Sequence, residues 1–161
     1  MDSIIAAIDC GTNSTRLLIA KKNDNHEYQT ITRQTQITRL GEGVDSQHSL
    51  LPSAIDRTLV TLFGYKEELS KHDVSQVRVV ATSAVRDADN GQVFLDAAED
   101  IIGKKTECLS GLEEAKLSFQ GATSELNKSK APFLVIDIGG GSTEFAFGQE
   151  ECESFLSTDV G

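Results

Sequence analysis

Long apolar runs are missing from this chain. The longest near the N-terminus, Ile4 to Ile8, is far shorter than the ~20 residues of a membrane-spanning helix, and it has neither the basic flank nor the cleavage site of a signal peptide. A cytoplasmic location is therefore expected. Cysteine pairs are missing as well: Cys10, Cys108 and Cys152 are odd in number and widely spaced, with no CxxC, which argues against a disulfide framework and against a zinc site. Three reduced, mostly buried thiols are expected. Positive charge is short too, and a net charge of −10 excludes non-specific binding to nucleic acid or to an anionic membrane. Finally, no GKS or GKT follows any glycine-rich turn, so a Walker-type phosphate loop is absent.

What is present is an ordinary globular composition, 39% apolar and 25% charged, in 161 residues that suit one domain or one lobe and the beginning of another. A polyanionic substrate is compatible with the acidic balance, because a few arginines and oriented backbone N–H groups make a site locally positive.

Residues 4–8 and 15–20 read as strands of a hairpin, with a third strand over 27–39. Helical spacing at Ile55, Leu59, Leu62, Phe63 and Leu69 follows Pro52-Ser53, where Ser53 can cap the first turn. A buried strand, Val77 to Ala81, feeds Thr82 to Arg86, and Asp89 to Gln92 caps a helix running to about Ile101. A short strand at 105–109 precedes a helix with Leu112, Ala115, Phe119 and Ala122 on one face. Ser124 to Lys130 is the linker candidate; strands then follow at 133–138, 142–147 and 152–157. The order is that of an α/β fold with a mixed sheet flanked by helices.

The chain also repeats itself. IDCGTNSTR at 8–16 matches IDIGGGSTE at 136–144, with Ile, Asp, Gly, Ser and Thr at corresponding places. Each copy is a strand ending in aspartate, a turn rich in glycine or small polar residues, and hydroxyls opening the next strand. Glycine and asparagine tolerate φ > 0, and alternating handedness turns successive N–H groups inward around an anion. Asp9 and Asp137 beside such turns can hold Mg²⁺ or another divalent cation, directly or through water. One such turn alone would read as a plain hairpin; two matching copies favour phosphate binding. In Ser110-Gly111-Leu112-Glu113-Glu114 a capping box occupies Glu113, while Glu114 is open to act as a general base, or by composition alone to be a solvated helix residue.

The set DCGTNSTR, RLGEGVD, ATSAVRDA, LSGLEEAKLSFQGA and VIDIGGGSTEFAFG strongly resembles the exopolyphosphatase and guanosine pentaphosphate phosphohydrolase family, within the wider actin, heat-shock chaperone and sugar-kinase superfamily. The resemblance implies ribonuclease-H-like (actin-like ATPase) lobes: a first lobe and interlobe helix over 1–123, a linker at 124–131, and the opening hairpin and strand of a truncated second lobe over 132–161. It implies Glu114 as the catalytic base, with Asp9, Asp137 and Glu144 facing metal or water. Phosphate would be held by Gly11, Thr12, Asn13 and Ser14, by Gly139, Gly140, Gly141, Ser142 and Thr143, and by Arg86. Arg16 and Arg39 are further arginine candidates; a surface ion pair is the alternative for each arginine, and for Arg39 an equal one. The implied activity is release of orthophosphate from the ends of inorganic polyphosphate, with guanosine pentaphosphate as the alternative substrate. A kinase-like ATPase and a non-catalytic polyphosphate or alarmone sensor are the competing classes. Exposed apolar surface, and a homodimer as one outcome of it, are expected of a truncated second lobe, and activity of the piece alone is not.

Overall fold

Short apolar runs form the two strands of the first hairpin, and burial alternates along them. Ala6, Ile8 and Cys10 of Ser3–Cys10 (β1), and Thr15, Leu17 and Ile19 of Ser14–Lys22 (β2), are buried on one face, as the period of two requires. The computed structural model describes residues 3–24, 27–158 and 160. In it β2 pairs antiparallel with β1 and with Tyr28–Ile37 (β3). A short helix, Val44–Gln47 (α1), and a long one, Pro52–Leu69 (α2), lead to Val74–Ala81 (β4), which lies parallel to β1. Ser83–Arg86 (α3) and Gly91–Ile102 (α4) follow, then Thr106–Cys108 (β5), parallel to β4. The mixed sheet has the order β3-β2-β1-β4-β5. Leu62 and Tyr65 of α2 and Phe94 and Ala98 of α4 close its core against Ile8, Leu17 and Val79.

Two local expectations for these helices change. Leu51, not Ser53, is the N-cap of α2, and Pro52 opens the helix where its missing N–H is not needed. The buried stripe of α2 is Ala54, Thr58, Leu62 and Tyr65, while Phe63 is exposed. Two polar residues enter that stripe because each is satisfied: the Thr58 hydroxyl donates to Ala54 O at 2.8 Å, and the Tyr65 hydroxyl to Thr15 O at 2.8 Å. A search for apolar periodicity passes over both.

The second unit comprises Gly111–Thr123 (α5), a single 3₁₀ turn at Lys128–Lys130, and the antiparallel strands Phe133–Ile138 (β6), Thr143–Gly148 (β7) and Cys152–Thr158 (β8), in the order β6-β7-β8. Ala115 and Phe119 of α5 are buried with Ala146 of β7, flanked by Phe133, Val135 and Cys152. This packing puts α5 with the second sheet, so the chain divides between Cys108 and Leu109 rather than within 124–131. The outer bounds expected for the lobes, residues 1 and 161, lie outside the described residues. Leu112 and Ala122 are exposed, and Thr123 takes the inward position, its hydroxyl donating to Phe119 O at 2.8 Å.

β6 is apolar at most positions but has one covered face. Leu134, Ile136 and Ile138 on the other are 59%, 51% and 74% exposed, the apolar surface expected of this segment. Cys10 is buried, Cys108 exposed and Cys152 intermediate, all as free thiols, so burial holds fully for the first alone. Among the described residues no helix is long and apolar enough to cross a membrane.

Candidate functional site: two equivalent hairpin turns and an acidic helix face

The repeated sequence folds into a repeated structure. In the first copy the Gly11 N–H donates to Ser14 O at 3.0 Å; in the second the Gly139 N–H donates to Ser142 O at 2.9 Å. Register agrees as well: Asp9 stands opposite Arg16 and Cys10 opposite Thr15, as Asp137 stands opposite Glu144 and Ile138 opposite Thr143. A Cβ on Gly11 would lie 3.1 Å from Ser14 O, and one on Gly139 3.0 Å from Ser142 O, so closing each turn this tightly favours glycine. The requirement is steric rather than torsional. Neither Gly11 nor Gly139 has a left-handed φ, and the first turn closes without the expected alternation of handedness; among the described non-glycine residues Arg39 (φ 47°) and His48 (φ 50°) have a left-handed φ.

Backbone orientation at the first turn is set from outside it. The N–H groups of Thr38 and Arg39 donate to Asn13 O at 3.1 and 3.0 Å, and that of Gly41 to Thr12 O at 3.0 Å. Across a trans peptide the N–H points opposite to the C=O, so these bonds turn the Asn13 and Ser14 N–H groups away from the 38–41 segment. Among the described residues the Thr12 and Asn13 N–H groups have no acceptor. Adjacent unsatisfied donors at a partly exposed turn are what an anion needs. Thr12 and Ser83 share a hydroxyl hydrogen bond at 2.8 Å, and Thr15 and Thr38 share a buried one at 2.9 Å. Ser83 and Thr38 were not legible as site residues, because their partners lie 71 and 23 positions away in the chain.

The core beside this turn is kept neutral. Burial, and then the Asp9 charge, push the Cys10 thiol far above its ordinary range. Burial, and then Cys10, push the Tyr65 phenol up to about 12. Of the arginines, Arg86 is half-buried with its Nε 3.4 Å from Asp87 Oδ1, while Arg16 and Arg39 are exposed.

In the second unit the capping box forms as read. Ser110 Oγ accepts from the Glu113 N–H at 3.3 Å, and the Ser110 N–H donates to Glu113 Oε2 at 3.0 Å. Glu114 lies next to it on the first turn of α5, partly buried, one helical turn before Ser118. The Ser118 hydroxyl donates to Asp137 Oδ2, and the Ser157 hydroxyl donates to Glu144 Oε1 at 2.9 Å. Asp137 and Glu144 are direct cross-strand neighbours, a like-charge arrangement that is unfavourable unless donors or a cation offset it. Glu144 is only 2% exposed. Neither serine stands out in the sequence.

Among the described residues no group of three or more His, Cys, Asp or Glu side chains is arranged to hold a metal. The Asp137 and Glu144 pair suits a hard cation that keeps several waters, and Asp9 belongs to the other unit. At the second turn Gly140 and Gly141 are half-buried and Ser142 is buried. The Thr143 hydroxyl is committed to Val160 O at 2.5 Å, so as a phosphate ligand Thr143 does not have that hydroxyl to offer.

The mixed sheet with its flanking helices, followed by a second hairpin of the same design, defines a ribonuclease-H-like, actin-like fold. Residues 18–161 match the model of the Ppx/GppA phosphatase family, and the chain belongs to that family. It is 46% identical over 165 residues to exopolyphosphatase 2 of Mycobacterium tuberculosis, an alignment covering 98% of this chain and 52% of that protein. Among solved structures it is similar to an exopolyphosphatase from Cytophaga hutchinsonii (TM-score 0.92, 32% identity, 99% of this chain and 51% of that one). It is also similar to the Aquifex aeolicus Ppx/GppA family member (TM-score 0.86, 30% identity, 100% of this chain and 52% of that one). The chain spans about half the length of these relatives.

Proposed function

We propose that the protein carrying this chain is an exopolyphosphatase, releasing orthophosphate from the ends of inorganic polyphosphate. The observation that carries the reading is the pair of matching turns, each closed by a glycine N–H on a serine carbonyl, in a chain 46% identical to a protein named for that activity.

Glu114 is the general base. It takes a proton from water as the water oxygen bonds to the terminal phosphorus; the bond from that phosphorus to the bridging oxygen breaks, and the shortened chain leaves with the bridging oxygen. The Thr12 and Asn13 N–H groups, and the Gly139 to Ser142 turn, bind phosphoryl oxygens, and Arg86 adds a fixed positive charge. Mg²⁺ or another divalent cation, when bound, offsets phosphate charge. Asp137 and Glu144 would hold it in the second unit, and Asp9 would serve in the first, directly or through water. Ser118 and Ser157 support this role by fixing the two carboxylates.

Orthophosphate release from long-chain polyphosphate and from guanosine pentaphosphate, with Mg²⁺, tests the proposal in the protein carrying this chain and in its Glu114→Ala variant. Cleavage of polyphosphate, reduced about 10²–10⁴-fold in the variant, is expected. Cleavage of the nucleotide alone would transfer the activity to the alternative substrate, and binding of either without turnover would leave a sensor.

A further inference from the structure

Arg57, on α2, belongs to none of the motifs discussed above, yet its guanidinium is spent on the segment that orients the first turn. Nε donates to Thr38 O at 3.0 Å and Nη2 to Arg39 O at 3.4 Å, while Nη2 also meets Glu42 Oε2 at 2.6 Å. The Glu42 N–H folds back onto Arg39 O at 3.1 Å. Residues 38–42 are thus held on one side by Arg57, and on the other they donate the three N–H groups that fix Thr12 O and Asn13 O. Arg39, in the middle, has φ 47°, a conformation that non-glycine residues keep where their surroundings over-determine it. A planar fork that reaches two successive carbonyls is guanidinium geometry; a single ammonium cannot copy it.

We propose that Arg57 is a positioning residue for phosphate binding. It latches residues 38–42 onto the first turn, so that the Thr12 and Asn13 carbonyls stay engaged and the Asn13 N–H, on the peptide whose Thr12 carbonyl is held, stays aimed at an anion. The inference rests on the reading of that turn as a phosphate site.

The whole chain, labelled with ¹⁵N, is titrated with tripolyphosphate while the Thr12, Asn13 and Gly41 amide resonances are followed, and hydrogen exchange is measured at Arg39 and Gly41. In Arg57→Ala, binding weakens about tenfold and exchange at both amides speeds up, while the Leu62 amide in α2 keeps its protection. Arg57→Lys, which keeps the charge and most of the stem, shows the same changes and serves if the alanine variant does not fold. If the unaltered chain binds and both variants bind as tightly, with Gly41 exchange unchanged, the latch is wrong and the phosphate reading stands. If the unaltered chain shows no shift at Thr12 and Asn13, the phosphate reading fails and the latch proposal fails with it.

Discussion

Replacing Gly41 with alanine would place a methyl group where the first turn meets its neighbours. The new Cβ would stand 2.4 Å from Thr12 Cγ2 and 3.2 Å from Ala84 Cβ. Gly41 has no left-handed φ, so the cost is steric. Thr12 cannot swing its methyl away freely, because its hydroxyl is bound to Ser83 at 2.8 Å, a bond worth about 1 kcal/mol net. Overpacking at such a site costs about 1–3 kcal/mol. Thr12→Ser deletes Cγ2 and keeps the hydroxyl, so adding it to Gly41→Ala recovers part of the loss, the 3.2 Å contact with Ala84 accounting for what remains. Urea unfolding of the four members of this double-mutant cycle measures the coupling, expected at about 0.5–3 kcal/mol. Gly64→Ala is the control: it sits exposed inside α2 with nothing within 4 Å of the new Cβ, and it gains about 1 kcal/mol from helix propensity. A harmless Gly41→Ala, or a double variant whose loss is the sum of the two single ones, would refute the steric reasoning.

Two further expectations concern the core beside that turn. An aromatic disulfide reagent should modify exposed Cys108 rapidly in the folded chain, and buried Cys10 only once the chain unfolds in denaturant. Stability should also fall in alkali. Tyr65 has its phenol raised from 10.0 to about 12 and Cys10 is shifted upward from 9.0, so above these ordinary values the unfolded chain loses protons that the folded chain keeps. The contribution is whole below the ordinary values and is lost as pH rises toward the folded ones. The thermal unfolding midpoint should therefore hold to about pH 9 and decline beyond it, less steeply in Tyr65→Phe.

Local features were legible from the chain alone. The hairpins follow from short apolar runs joined by turn-rich segments, the capping box from Ser110 and Glu113 at their fixed spacing, and the equivalence of the two turns from the match of 8–16 with 136–144. Each of these is made by residues close together along the chain. The inward stripe of α2 was harder to read, because Thr58 and Tyr65 are buried by virtue of hydrogen bonds that apolar periodicity does not register. Alternating handedness was expected at the turns, but the first turn closes without it, by the close approach of Gly11 to the Ser14 carbonyl.

By itself, then, the sequence determined the elements, the paired turns and the family to which the chain belongs, since all of these are carried by short-range spacing and by motif order. Tertiary structure decided that α5 packs on the second sheet, that Ser118 and Ser157 hold Asp137 and Glu144, and that Arg57 braces the segment orienting Thr12 and Asn13. Those contacts join residues that only the folded chain brings within hydrogen-bonding distance, and a hydroxyl or guanidinium has no partner preference that spacing could reveal.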